Sequence, residues 1–269
     1  MERSEAGKAR GVLRPERTDG VFHHERRLPA PDLALFVAHF WSVAWDLRGH
    51  EPRVQETLPH PAVHIIFEAG NTRVGGVAKG RFSRRLEGQG RVFGIKFQPA
   101  GFHPFLGEPL STLTDTLLTL PEVFGGPGQA LEEAVLGATE DATRIALAEA
   151  FLLGCHPEPD PRVELLNGIA ARIAEDREIR RVEDISERFD VGTRTLQRLF
   201  ARYVGVSPKW VIQRYRLHEA LAQVDQGHSV DWASLAVDLG YFDQAHFIKD
   251  FKALVGRTPA GYAELNRPS

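Results

Sequence analysis

The spacing of apolar residues divides the chain into a strand-rich half and a helical half. Up to about residue 110, short aromatic and β-branched runs alternate with glycine-rich turns, which is typical of strands in a small sandwich or barrel. Strands are predicted at residues 40–45, 63–67 and 91–97, and a short helix is predicted from residue 31 to about 38. In the last strand Phe93, Ile95 and Phe97 share one face, whereas Gly94 and Lys96 share the other.

Beyond residue 110 the apolar period changes to that of helices. Residues 111–120, 129–137 and 141–153 are predicted to be helical, with a glycine-rich break at residues 125–128. Three prolines within residues 157–161 cannot continue a helix and predict a semi-rigid linker. The predicted organisation is a flexible leader (residues 1–20), an N-terminal domain (21–156), the linker (157–161) and an all-helical C-terminal domain (162–269).

Two helix-turn-helix patterns lie within the C-terminal domain. In each, a short apolar helix meets a residue that tolerates a left-handed turn, Asp190 in the first pattern and Gly240 in the second. This turn sets a second helix across the first, free to enter a DNA major groove. A helix from Ser207 to about Asp225 joins the two units, and its ~18 residues rise roughly 27 Å. That length, together with the width of two packed units, suits two grooves one DNA turn, about 34 Å, apart.

The outward-facing residues of the two second helices are the candidate DNA contacts. In the first helix, predicted at residues 193–203, an apolar stripe must face the core and leaves basic and amide side chains outside. Arginine can bond guanine bidentately, and glutamine can do the same with adenine. Base contacts are therefore predicted for Arg194, Gln197, Arg198, Gln244, His246 and Lys249, and phosphate contacts for Arg188, Arg202 and Lys252. For His246 the alternative is a surface histidine with one local hydrogen bond.

Composition and charge narrow the function classes. The 269 residues are enough for two domains, and a net charge of −3 argues against a polycation that coats nucleic acid. Residues 188–216 nevertheless hold seven basic residues against one acid, around the first helix-turn-helix, which favours phosphate binding over a merely solvated helix face. The single cysteine, the polar N-terminus and the lack of ~20 consecutive apolar residues predict a cytoplasmic protein without membrane contact.

About 100 C-terminal residues resemble the DNA-binding domain of AraC-family transcription regulators, which are bacterial. The residues that carry the resemblance are Leu235-Ala-Val-Asp-Leu-Gly-Tyr241, Phe247-Ile-Lys-Asp-Phe-Lys252 and Gly256-Arg-Thr-Pro-Ala-Gly-Tyr262. The sequence departs from the family pattern at Asp190, where glycine is common, and at Gly192, where serine often caps the helix. The resemblance implies an α+β protein that binds double-stranded DNA as a transcription factor, without a cofactor and without enzymatic activity.

The N-terminal half resembles a domain attached to some members of that family. The similarity lies in His39-Phe-Trp-Ser42, Leu58-Pro59 and Gly94-Ile-Lys-Phe-Gln-Pro-Ala-Gly101. It implies a sensory or dimerising module, often cupin-like, with a small-molecule effector. Trp41 and Trp45 are an even number of positions apart and therefore share one face of a strand. Their rings are predicted either to pack in the core or to line an apolar pocket with His64 or Lys96 as its polar anchor.

Other functions and partners stay open as alternatives. One is a cupin-like, metal-dependent enzyme that the helical domain targets to DNA, and another is an architectural DNA binder without a ligand. No histidine spacing predicts a metal site, and no catalytic residues are predicted, since Cys155-His156 lacks a visible base or oxyanion donors. RNA polymerase is a further expected partner, and both a homodimer and a monomer fit the sequence.

Overall fold

A computed structural model of the protein describes residues 12–13 and 21–265. Most of the predicted flexible leader, residues 1–20, therefore lies outside the described residues. The strands of the N-terminal half are β1 (Val12–Leu13), β2 (Phe22–Arg27), β3 (Val37–Asp46), β4 (Arg53–Thr57), β5 (His64–Phe67), β6 (Arg73–Gly75), β7 (Phe82–Leu86), β8 (Gln89–Phe97) and β9 (Leu117–Leu118).

The strands form two antiparallel sheets. The larger sheet has six strands in the order β2-β3-β8-β5-β6-β9, and the smaller has three in the order β1-β4-β7. Leu86 of the smaller sheet packs with Trp45 and Val92 of the larger one, so the two sheets share an apolar cluster. The predicted β-rich N-terminal half, followed by a helical C-terminal domain, is thereby confirmed.

One face of the larger sheet forms the main core of this half. Phe93, Ile95 and Phe97 of β8 lie on that face and are at most 3% exposed, so the predicted alternation of this strand is confirmed. Helices cover the face, because their apolar stripes need a partner surface. They are α1 (His103–Leu106), α2 (Leu120–Gly137), which Gly125 interrupts with a φ of 62°, and α3 (Asp141–Gly154).

Two predicted helices are wrong. Only a 3-10 turn, Pro31–Leu33, forms within residues 31–38, because β3 begins at Val37 and pairs with β8. Residues 111–120 contain the end of another 3-10 turn, Leu110–Thr112, and the short strand β9, which pairs with β6. In both segments pairing with a distant strand overrides a local helical pattern.

The C-terminal half, as far as residue 265, consists of helices and the turns that join them. Pro161 starts its first helix, which Asp160 caps by accepting a hydrogen bond from the Arg162 N–H at 2.8 Å. The helices are α4 (Pro161–Glu175), α5 (Val182–Phe189), α6 (Thr193–Tyr203), α7 (Pro208–Asp225), α8 (Trp232–Asp238), α9 (Gln244–Val255) and α10 (Pro259–Leu265). No helix in the described ranges is long and apolar enough to cross a membrane.

Both predicted helix-turn-helix corners form as expected. Asp190 adopts the left-handed conformation with φ 50° and ψ 45° between α5 and α6, and Gly240 has φ 69° between α8 and α9. Ser207 caps α7, since its hydroxyl accepts a hydrogen bond from the Trp210 N–H at 3.2 Å. These local signals fix where each helix begins and ends.

The two halves of the chain are in contact. Val77 and Ala100 of the N-terminal half belong to the apolar cluster that holds α4, α6 and α7 together. Asn167 of α4 ties the same surfaces, since its Nδ2 donates to the Leu35 carbonyl and its Oδ1 accepts from the Ala100 N–H, both at 2.9 Å. The two domains on either side of the linker are therefore packed against each other.

Candidate nucleic-acid interface

The first candidate recognition helix, α6, presents a buried apolar face and an exposed polar face. Leu196, Phe200 and Tyr203 are at most 3% exposed, so they fix the rotation of the helix in the core. On the opposite face the N-terminal half of α6 exposes Arg194, Gln197 and Arg198. Within the described part of the chain these three side chains make no hydrogen bond or ion pair, which leaves their donors available for a ligand.

Two of the seven basic residues within residues 188–216 are buried and stabilise the fold, so they do not belong to an exposed basic surface. Arg214 is 3% exposed, stacks on Trp210 at 4.5 Å and donates to the Lys79 carbonyl at 3.0 Å. Arg216 is 7% exposed and donates to the carbonyl of Asp176 at 3.1 Å, at the end of α4. The expected basic surface is therefore smaller than the sequence count indicates.

The two predicted phosphate contacts of the first unit already have partners in the protein. Arg188 is exposed and forms an ion pair with Asp176, which partly neutralises its charge. Arg202 is exposed at the C-terminal end of α6, and its Nε donates to His103 Nε2 at 3.3 Å. Both guanidinium groups still reach solvent, but a phosphate would compete with these contacts.

The second recognition helix, α9, also exposes its predicted contacts. Asp243 caps the helix by accepting a hydrogen bond from the His246 N–H at 2.7 Å. Phe247, Phe251 and Val255 are buried, and the predicted DNA contacts are exposed: Gln244, His246, Lys249 and Lys252. The imidazole of His246 lies 3.6 Å from the Asp250 carboxylate, which is beyond hydrogen-bonding distance.

Sequence reasoning missed an exposed aromatic residue at the start of α9. Phe242 directly precedes the cap residue Asp243 and is 95% exposed, and Val237 of α8 is 75% exposed. A fully exposed phenylalanine beside polar recognition residues is a candidate for apolar contact with a thymine methyl group. The signal was present as Tyr241-Phe242, but from the sequence alone either ring of the pair fits the core.

The N-terminal domain holds the far end of α6. His103 stacks on Tyr203 with 4.0 Å between ring centroids, and the Tyr203 hydroxyl donates to Asp160 at 2.8 Å. The Thr114 hydroxyl donates to the Gly205 carbonyl just beyond the helix, at 2.6 Å. Burial, and next the charge of Arg202, lowers the pKa of His103. The C-terminal end of α6 is thus bound to the other domain, whereas its N-terminal end is exposed.

The four residues predicted for an effector pocket lie on one face of the larger sheet. Trp45 is 7% exposed, and its indole donates to the Glu87 carbonyl at 3.2 Å, so this ring belongs to the core. Trp41 is half-buried, with 6.4 Å between its ring and that of His64. Lys96 pairs directly across from His64 in the β8–β5 ladder. The structure thereby brings Trp41, His64 and Lys96 together.

Among the described residues, no three His, Cys, Asp or Glu side chains form a group that could hold a metal ion. His60, four residues before His64, stacks on His218 of α7 with 4.4 Å between ring centroids.

Two family models match separate parts of the chain. Residues 25–119 match a family described as "Domain of unknown function (DUF6597)", and residues 185–264 match one described as "Helix-turn-helix domain". The second match spans both corners, from α5 into α10. No curated protein matches the chain in a sequence comparison.

Solved structures of ToxT from Vibrio cholerae align with most of the chain at low identity. The structure from strain O395 is 12% identical, with 81% of this chain and 98% of that chain covered and a TM-score of 0.36. A 1.65 Å structure is 13% identical, with 91% and 98% covered and a TM-score of 0.36. A third, ToxT bound to (E)-4-(8-methylnaphthalen-1-yl)but-3-enoic acid, is 13% identical, with 91% and 99% covered and a TM-score of 0.32. The overall superpositions are therefore loose.

Proposed function

We propose that the protein is an AraC-type DNA-binding transcription regulator in which α6 and α9, both within the matched helix-turn-helix domain, read base sequence in successive major grooves. The observation that carries the proposal is the exposed row Arg194, Gln197 and Arg198 on the N-terminal half of α6. This part of a recognition helix normally reaches base edges. Arginine can donate two hydrogen bonds to guanine O6 and N7, and the glutamine amide can donate to adenine N7 and accept from its N6 amino group.

The geometry of the joined units supports one continuous site. The 18 residues of α7 rise roughly 27 Å, which with the packed width of two units fits one DNA turn. Arg180 of the first unit also pairs with Asp238 of the second at 3.0 Å, and Gln213 donates to the Leu239 carbonyl at 3.0 Å. One chain can therefore present both helices to one face of the duplex as a monomer. A footprint should show two protected major-groove stretches one turn apart on that face.

The two recognition helices differ in charge, and we propose that they contribute differently to DNA affinity and specificity. Exposed arginines of α6 supply most of the basic surface, whereas Lys249 and Lys252 of α9 flank Asp250. We expect α6 to contribute more affinity and α9 to add specificity through Gln244, His246 and Lys249. A protein of this kind acts where the DNA is, so the cytoplasm is its proposed location.

We further propose that the N-terminal domain controls DNA binding. Its support is the set of contacts at the C-terminal end of α6, where His103 touches both Arg202 and Tyr203. A change in the N-terminal domain that moved His103 would alter a group expected to bind phosphate. A small-molecule effector is one way to produce such a change.

The variant Arg202→Ala is expected to weaken binding to all DNA sequences alike. If Arg202 neutralises one phosphate, its loss should flatten the dependence of log K on log salt by about one unit. Fluorescence anisotropy with a labelled duplex between 50 and 200 mM salt, roughly the range in which such contacts weaken strongly, measures the slope. Arg48→Ala, at an exposed arginine beyond β3, is the matched control and should leave the slope unchanged. A base-specific effect of Arg202→Ala would mean that its assignment to phosphate is wrong.

Phe242 is expected to contact the methyl group of a thymine. Replacing that thymine with deoxyuridine removes only the methyl group, and should weaken binding by about 0.8 kcal/mol, or roughly fourfold. In the variant Phe242→Ala, the thymine and deoxyuridine duplexes should bind equally. Val237→Ala, at the neighbouring exposed apolar residue, serves as the control and should keep the difference. If no thymine in the site shows this coupling to Phe242, the ring has another role.

A further inference from the structure

A row of basic side chains crosses the centre of the larger sheet. His39 of β3 and His64 of β5 both lie directly opposite Lys96 of β8 in the antiparallel ladders. Residues directly opposite have Cβ atoms about 4.5–5.5 Å apart, so the three side chains are neighbours on one face. We call His39, Lys96 and His64 the basic row.

More donors lie next to the basic row on the same face. Arg26 of β2 pairs opposite Trp41, and Trp41 pairs opposite Gly94. The indole lies across this glycine, since a Cβ there would come within 2.3 Å of the ring. The Trp41 Nε1–H is buried and has no acceptor among the described residues. An indole N–H can only donate, so it needs an acceptor from elsewhere.

The basic row has no acidic partner within the part of the chain that the structure describes. Lys96, His39 and His64 form no hydrogen bond or ion pair there. The Glu68 carboxylate, just beyond the end of β5, pairs with Arg73 and Arg84. Burial, and next the charge of Arg26, lowers the pKa of Lys96 to about 7. Burial, and next the charge of Lys96, lowers the pKa values of His39 and His64 to about 3.

This arrangement lowers the stability of the fold. With pKa values of about 3, His39 and His64 are neutral at pH 7 and cannot pair with the Lys96 ammonium group, and a buried cation without a partner costs free energy. The three side chains nevertheless remain half-buried rather than sealed, so a small molecule can touch them. An anion would pair with the Lys96 ammonium group and accept hydrogen bonds from the imidazole and indole N–H groups together.

We propose that the basic row and Trp41 form a binding site for a small organic anion. Its acidic group lies among Lys96, His39, His64 and the Trp41 N–H. Its apolar part lies along the half-buried Val43 and Ile66, which share this face of the sheet. The acidic group can be a carboxylate or a phosphate, since both accept these donors. Anion binding by the N-terminal domain does not depend on DNA binding. Only the idea that the anion acts as a signal rests on the proposed function.

The first test is ligand binding by the full chain at fixed salt and pH 7. The probes are benzoate, phenyl phosphate and octanoate, with benzamide and octanol as neutral isosteres. At least one acid should raise the melting temperature and change the tryptophan fluorescence, while the neutral molecules should not. Carboxylate and phosphate are distinguished by which probe binds more tightly. No effect from any of the three acids would overturn the proposal.

The second test uses Lys96→Met with Lys79→Met as its matched control, since Lys79 is exposed. Lys96→Met should weaken acid binding at least tenfold, and Lys79→Met should not change it. Without a ligand, Lys96→Met should melt at a higher temperature than the wild type, because an unpaired cation is replaced by an apolar side chain. A lower melting temperature would show that Lys96 has a structural partner, and unchanged acid binding would place the anion elsewhere. The variant Arg198→Ala should bind the acid normally, which separates this test from any failure of DNA binding.

Discussion

Replacing Arg198 by alanine is expected to lower the affinity for the preferred DNA site by ~1–3 kcal/mol, between roughly fivefold and 150-fold. Arg198 is exposed on the N-terminal half of α6, and no residue in the described part of the chain holds its guanidinium group. It is therefore available to bond guanine O6 and N7. Competition binding against every single-base variant of the site should also show a relaxed preference at one base pair.

The stability of this variant is its internal control. An exposed arginine without an intramolecular partner contributes little to folding, so the free energy of unfolding should change by less than about 0.5 kcal/mol. If Arg198→Ala binds every site variant with the wild-type order of preference, Arg198 does not read a base.

Replacing Arg216 by alanine is expected to destabilise the C-terminal domain by roughly 3 kcal/mol. The buried guanidinium donates to the carbonyls of Ile173 and Asp176 at the end of α4, and it pairs with Glu219 at 2.7 Å. The Ile173 carbonyl lies in the last turn of α4 and has no partner within the helix, so the loss of Arg216 leaves it buried without a donor, whereas the Asp176 carbonyl keeps the Ile179 N–H at 3.3 Å. Urea unfolding followed by circular dichroism measures the change.

The comparison between the two arginines separates folding from recognition. Under conditions in which both variants are folded, Arg216→Ala should bind DNA with the wild-type salt dependence, and Arg198→Ala should not lose stability. Arg216→Lys should recover only part of the stability, because an ammonium group cannot place two donors as the planar guanidinium does. A stable Arg216→Ala variant with weakened DNA binding would contradict the assignment of Arg216 to the fold.

Local signals in the sequence predict most of the C-terminal half. The predicted bounds of α6, residues 193–203, are those in the structure, because a strong apolar stripe follows the left-handed turn at Asp190. Ser207-Pro208 likewise marks the start of α7. In these segments the helix, its cap and its buried face all depend on residues within a few positions of one another.

The sequence predicts less of the structure where contacts between residues far apart in the chain determine the conformation. The strand Phe22–Arg27 was missed because its composition is polar, and only pairing with β3 makes it a strand. From the sequence alone, Arg214 and Arg216 resemble surface residues, because their hydrogen-bond partners, the Lys79 carbonyl and a carbonyl at the end of α4, lie far away in the chain. The basic row arises from the register of three strands, and no spacing in the sequence places His39 beside Lys96.

The most direct test of the central proposal is selection of binding sites from random DNA by the full-length protein. We expect an enriched site with two short elements about 10 base pairs apart, one for each recognition helix. Arg198→Ala should change the preference in one element only, and Lys249→Ala should change it in the other. A single element, or no enriched sequence at all, would contradict the proposal that α6 and α9 read successive major grooves.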